Sequence, residues 1–175
     1  MISPLSKTHL SRYLVVTLLL LCAFPGLLQA QNKVSPQGVR IEAEMQANPE
    51  EVWEMLLEFD AYPDWNPYIR SIDGVAEKGK RLHIVIDGKE KTYDFKAKVL
   101  ELVPQHAFAW GGSALFFFKA RHYFEIIPME NGQLRFIQGE SWGGLFGKSY
   151  GKKVYEEAAV NFEKMNKVMA EKLQK

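Results

Sequence analysis

Three polar side chains of types that do chemistry sit among aromatic residues in the second half of the chain: His122, Gln138 and Glu140. Whether they meet depends on one hairpin, at Met129-Glu130-Asn131-Gly132-Gln133. A two-residue Asn131-Gly132 turn is the strongest short-range signal there. It would set even-numbered residues of one strand beside odd-numbered residues of the next. The large apolar residues Phe116, Phe118, Phe124 and Ile126, and then Leu134, Phe136 and Trp142, are all even-numbered. A three-residue loop, Glu130-Asn131-Gly132 with Gly132 in the left-handed conformation, keeps them on one face. A slip of one residue would turn every side chain over, so the choice has consequences.

That register predicts His122 opposite Glu140 and Phe124 opposite Gln138, all facing inward. An imidazole and a carboxylate are costly to bury unless paired or solvated. They satisfy each other, meet a water, or serve as the few placed polar groups of an apolar pocket. General acid/base work is a further use, since burial and a charged neighbour bring either group toward neutrality.

Other chemistries find little here. No His/Cys/carboxylate spacing of the zinc type occurs, so no metal is expected, and no cofactor is expected. Gly111-Gly112, Gly143-Gly144 and Gly147-Lys148-Ser149 lack the patterns of phosphate loops. Gly139-Glu140-Ser141-Trp142-Gly143 matches the nucleophile-elbow string, but no histidine follows Ser141, as that triad order requires. His83 and His106 read as ordinary strand residues.

The elements that must position these groups follow from periodicity. Val39, Ile41, Ala43 and Met45 alternate with polar residues, as in a strand with one buried face. Asn48-Pro49-Glu50-Glu51 opens a short helix with Val52, Trp53, Leu56 and Leu57 on one side. A second helical turn spans Phe59 to Asn66. Strands follow over Ile69–Glu77, Arg81–Asp87 (Leu82, Ile84 and Ile86 on one side) and Tyr93 to Pro104 (Tyr93, Phe95, Ala97 and Val99). Three more cover His106–Gly111, Phe116–Ile127 and Leu134–Trp142. From Gly147 the period changes, and Val154, Ala158, Phe162, Met165 and Met169 mark one amphipathic helix of roughly seven turns. The prediction is an α+β fold: a curved seven-stranded antiparallel sheet around a long C-terminal helix, with two short helices between the first and second strands.

Residues 1–30 have the layout of a signal peptide: Lys7, His9 and Arg12, an apolar run from Tyr13 to Phe24, then Leu28-Gln29-Ala30 at a cleavage position. The run is short of the roughly 20 residues that span a bilayer; an uncleaved anchor or a buried helix is the alternative. The expected domains are therefore 1–30 signal peptide, 31–38 flexible leader and 39–175 ligand-binding domain, with export to the periplasm or outside after cleavage near Ala30. Cleavage removes the only cysteine, Cys22, and leaves 20 basic against 21 acidic residues. No basic excess remains for a nucleic acid partner, and no stable membrane insertion is expected of the mature chain.

Several stretches carry a family likeness. Asp60-Ala61-Tyr62-Pro63-Asp64-Trp65-Asn66-Pro67-Tyr68, Gly79-Lys80-Arg81-Leu82, and Val99-Leu100-Glu101-Leu102-Val103-Pro104 with Phe108-Ala109-Trp110 come first. His122-Tyr123-Phe124 with Pro128 and Asn131-Gly132, Gly144-Leu145-Phe146-Gly147, and Phe162-Glu163-Lys164-Met165-Asn166 follow. In this order the chain resembles the SRPBCC superfamily of START-like, helix-grip proteins, in particular its polyketide cyclase/dehydrase and lipid-transport-like branch. The resemblance implies a helix-grip fold that holds apolar molecules, and among relatives both enzymes and carriers. Some similar members have a His-x-Glu pair where this chain has Gln138-Gly139-Glu140.

The leading expectation is binding or carriage of a hydrophobic small molecule (a lipid, polyketide-like or isoprenoid compound) between sheet and helix. Trp65, Tyr68, Trp110, Phe118, Phe124, Phe136, Trp142, Tyr155 and Phe162 are the apolar candidates, with His122, Gln138 and Glu140 as the polar ones. An enzyme of cyclase, dehydratase or hydrolase type, with Glu140 as base and His122 as donor, is the second expectation. A structural domain with a filled core is the third.

Overall fold

The computed structural model describes residues 33–35, 38–114, 118–130, 132–145 and 152–174. The expected signal peptide, Phe116 and the start of the last helix at 147–151 lie outside them.

Alternation of apolar and polar residues gives the strands one buried face each. A three-residue strand, β1 (Lys33–Ser35), pairs with β2 (Gly38–Met45), in which Val39, Ile41, Ala43 and Met45 are buried. The sequence suggested a flexible leader over 31–38; backbone pairing of Lys33 with Arg40 and Ser35 with Gly38 makes part of it an edge strand instead. Helix α1 (Pro49–Leu57) starts as its residues dictate. The Asn48 side chain accepts the Glu50 amide at 2.9 Å, Pro49 occupies the first turn, and Glu50 and Glu51 meet the positive end of the dipole. A 3₁₀ turn (Phe59–Ala61) leads into α2 (Tyr62–Trp65). Asn66 then accepts the amides of Tyr68 (3.1 Å) and Ile69 (2.8 Å), which fixes the turn that delivers Tyr68 to the interior.

The remaining strands are β3 (Ile69–Gly74), β4 (Arg81–Asp87), β5 (Thr92–Val103), β6 (Ala107–Ala114), β7 (Phe118–Pro128) and β8 (Leu134–Gly143). Helix α3 (Lys152–Leu173) ends the fold. The strand order is β1-β2-β8-β7-β6-β5-β4-β3, antiparallel throughout. The seven strands expected from the sequence are present, wrapped around the C-terminal helix in a helix-grip fold, and β1 is added at one edge. A register shift between Val99 and Glu101 bulges β5 against β6, a local device for bending a sheet.

The β7–β8 hairpin has the three-residue register. His122 faces Glu140 and Phe124 faces Gln138, with Gly132 at φ +75°. Across the sheet the inward side chains then fall into rows. Ile41, Gln138, Phe124 and Phe108 form one; Val39, Glu140, His122, Trp110 and Val99 form the next. Along α3, Tyr155, Ala159, Phe162, Met165, Met169 and Ala170 are buried against this face. Val154 was expected in that stripe but is exposed, and Ala158 is only half-buried. Both border a void.

Candidate functional site

One row further along the strands, bulk disappears from the sheet. Trp142 on β8 faces Ala120 on β7, and Ala120 faces Gly112 on β6. On β5 the inward residue after Val99 is Ala97. Three consecutive strands thus present a methyl group, a methyl group and a hydrogen. Opposite them α3 offers Val154, Ala158 and Asn161. Side chains this small do not span the gap between a sheet and a helix, which larger residues elsewhere fill to native density. A cavity of about 530 Å³ results. Its walls are Ile84 and Ile86 from β4, Tyr93, Phe95 and Ala97 from β5, Trp110 and Gly112 from β6, and Ala120 and His122 from β7. Glu140 and Trp142 from β8, Tyr68, and Val154, Glu157, Ala158, Asn161 and Phe162 complete the lining. Its volume lies in the range of small-molecule pockets. Tyr93, Phe95 and Val154 are exposed and form an apolar rim. At the rim the Lys89 amide donates to Glu157 at 2.5 Å, tying the β4–β5 turn to α3.

The polar groups lie at the inner end. Gln138 is wholly buried, and its Nε2 donates to the Tyr68 hydroxyl at 2.9 Å and approaches His122 Nε2 at 3.2 Å and Met165 Sδ at 3.3 Å. Donation to His122 Nε2 requires that nitrogen to be bare, which leaves the neutral ring's proton on Nδ1. Nδ1 faces Glu140 Oε2 at 3.7 Å, beyond hydrogen-bond range. His122 itself is boxed by aromatic rings. Trp110 stacks on it at 4.8 Å with planes 6° apart, and Phe124 and Phe162 present edges, each at 4.9 Å. Burial, and next the negative charge of Glu140, push the Tyr68 phenol well above its ordinary range, so it remains a neutral hydroxyl. The Glu140 side chain is 25% exposed, and His122 is the one ion-pair partner seen for it among the described residues.

Of the twelve residues expected at a pocket, the structure brings six to the cavity wall: Tyr68, Trp110, His122, Glu140, Trp142 and Phe162. Gln138 stands behind that wall and holds Tyr68 and His122. Phe124 and Phe136 belong to the filled end, stacked at 5.9 Å, because their rows meet large partners rather than Ala or Gly. Trp65 packs on Tyr62 at 5.0 Å and lies away from the cavity. Tyr155 is spent on Trp142, at 5.0 Å. The Phe118 side chain lies outside the described residues. The residues not anticipated are Ile84, Ile86, Tyr93 and Phe95, together with the small positions 97, 112, 120 and 158. The first four had a signal, their two-residue alternation. Ser141, in the nucleophile-elbow string, is exposed within β8 and not on a strand-to-helix turn. His83 pairs with Asp94 at 2.6 Å and Asp73 at 3.5 Å on the surface. Among the described residues there is no cluster of three or more potential metal ligands, and no helix is long and apolar enough to cross a membrane.

The family described as polyketide cyclase/dehydrase and lipid transport matches residues 36–175. The chain belongs to that family. Solved structures share the sheet-and-helix frame seen here. A START superfamily protein of Mycobacterium smegmatis superposes with a TM-score of 0.64 at 18% identity, covering 79% of this chain and 97% of that one. A Rhodobacter sphaeroides protein gives 0.66 at 16% identity, with 83% and 97% covered. A Thermus thermophilus protein gives 0.62 at 18%, with 78% and 96% covered. At these identities the likeness is one of fold. No curated protein matches the sequence. Membership in the polyketide cyclase/dehydrase and lipid transport family therefore supplies a ligand-binding frame, and the chain's own residues must supply the choice of ligand.

Proposed function

We propose that the chain binds and carries a hydrophobic small molecule, of lipid, polyketide-like or isoprenoid type, in the cavity between the sheet and α3. The observation that carries this reading is the cavity of about 530 Å³ floored by Ala97, Gly112 and Ala120 and ringed by Ile84, Ile86, Tyr93, Phe95, Trp110 and Phe162. A space this size with apolar walls disfavours a domain whose core is simply filled.

Filling the floor tests the reading. A Cβ at Gly112 would meet only the Lys96 carbonyl oxygen, at an ordinary 3.6 Å, so a larger side chain there has room to enter the cavity. Gly112→Leu is expected to keep the fold and abolish the thermal shift that apolar compounds cause in delipidated wild-type protein. Equal shifts in both proteins, or none in the wild type across a broad apolar set, would remove the carrier reading. Native mass spectrometry of protein from its own host would name the cargo.

Catalysis is the second reading, favoured by His122 and Glu140 facing each other across the cavity wall. It expects turnover of an enolisable apolar substrate that Glu140→Gln abolishes. Export belongs to the same proposal, on the layout of residues 1–30; amino-terminal sequencing of the mature protein tests it, with Gln31 expected first.

A further inference from the structure

The inner end of the cavity holds an acceptor without a donor. The Glu140 carboxylate is three-quarters buried, lines the cavity, and has no hydrogen bond within range among the described residues; its nearest partner, His122 Nδ1, is 3.7 Å away. The other charged groups on the wall do not change that balance. Asp87 is taken up by Arg70 at 2.7 Å, and Glu157 accepts the Lys89 amide at the rim. Lys96 is the one lysine in the lining and is exposed. Beside Glu140, the Tyr68 hydroxyl oxygen and His122 Nε2 are both engaged by Gln138 Nε2, and the His122 Nδ1 proton, which faces the carboxylate, is too far away to reach it.

An ionised carboxylate only accepts hydrogen bonds, and in a partly desolvated site an unmet acceptor costs free energy that a ligand donor restores. A ligand carrying its own carboxylate would set like charges together where water screens them poorly. We infer that the cargo is an amphiphile with a hydrogen-bond-donating head, a hydroxyl or an amine, seated against Glu140 with its apolar tail toward Ile84, Phe95 and Ala158, and that carboxylate-headed molecules are excluded. This rests on the proposal that the cavity binds apolar molecules, and adds the chemistry of the polar end.

The experiment compares three molecules of one tail length, decan-1-ol, decylamine and decanoate. Binding to delipidated protein at pH 7.5 is read from the fluorescence of Trp110 and Trp142, which line the cavity. The alcohol and the amine are expected to bind at least about tenfold more tightly than decanoate, the scale of one hydrogen bond to a charged group. In Glu140→Gln, with its fold checked by circular dichroism, the gap is expected to close, chiefly through tighter decanoate binding and weaker amine binding. Decanoate binding as tightly as the alcohol to the wild type would overturn the head-group inference and leave the carrier reading standing. Silence with all three molecules would overturn both. The wild-type comparison decides the matter even if the variant does not fold.

Discussion

The groove between the sheet and α3 has two ends built from the same strands, and they differ completely. At one end Phe108, Phe124 and Phe136 stack at 6.1 and 5.9 Å, and Phe59 lies on Phe108 at 6.1 Å; all four rings are buried. Two rows along from Phe108 and Phe124, β6 and β7 read Gly112 and Ala120, beside Trp142 on β8, and the cavity opens. Antiparallel pairing of the same strands is common to both ends. The hollow is therefore a matter of side-chain volume, decided by a few small residues in register across neighbouring strands. The filled end supplies rigidity, and the hollow end receives it.

The sharpest way to break this contrast is to carve the filled end. Phe136→Ala is expected to cost about 3–5 kcal/mol, seen as a lower denaturant midpoint, because a fully buried ring leaves a cavity its neighbours cannot close. A result under 1 kcal/mol would show that the two ends are equally slack.

Tyrosine ionisation separates the ends more gently. Tyr62, buried at the filled end with its hydroxyl donating to the Leu56 carbonyl at 2.9 Å, and Tyr68, buried at the hollow end, both have phenols raised far above 10.0 by burial. The folded state thus keeps protons that the unfolded chain releases. Stability is intact below pH 10 and falls above it, by about 1.4 kcal/mol per tyrosine for each pH unit while the folded phenols stay neutral. Tyr62→Phe and Tyr68→Phe should each flatten that slope, measured by urea titrations from pH 8 to 11.

Adjacent glycines give the next effect. A Cβ at Gly111 would run into the Ala120 carbonyl oxygen, whereas one at Gly112 meets only ordinary contact. Gly111→Ala should destabilise by about 1–3 kcal/mol, the usual overpacking range, and Gly112→Ala by less than about 1 kcal/mol. Equal losses would mean that the floor is not open.

The smallest effect belongs to the outer face of the sheet, where Arg135 meets Glu42 at 3.8 Å and Glu44 at 3.5 Å. These half-exposed pairs are screened by solvent, so Arg135→Ala is expected to change stability by about 0–1 kcal/mol and to leave ligand binding unaltered.

Much of this was legible before any coordinates. The parity of Phe124, Phe136 and Trp142 set the β7–β8 register, and with it the meeting of His122 and Glu140, because a one-residue slip would have exposed every ring. The long helix announced itself by period. The location of the void did not. Large aromatics drew attention as pocket walls, yet Phe124 and Phe136 fill space, while the cavity is made by Ala97, Gly112 and Ala120, whose smallness is uninformative until their neighbours across the sheet are known. Tyr93 and Phe95 had the right alternation, but only the placement of α3 shows that it leaves them partly exposed at the rim. The β1 strand was missed because three residues carry too little pattern to mark an edge.

The mounting of α3 has a mechanical consequence. From Phe162 onward the helix is embedded, with Phe162, Met165, Met169 and Ala170 all buried. Toward its start it runs above the hollow and touches down at Tyr155 on Trp142 and at Glu157 on the Lys89 amide. It is clamped along one half and pinned again near its start. Between Asn161 and Tyr155 it runs beside the hollow for about 9 Å at 1.5 Å per residue, so the rim contacts at Tyr155 and Glu157 hold the doorway while Gln138 lies behind the clamped half. Parting those two rim contacts would widen the doorway without disturbing the hydrogen-bonded inner end.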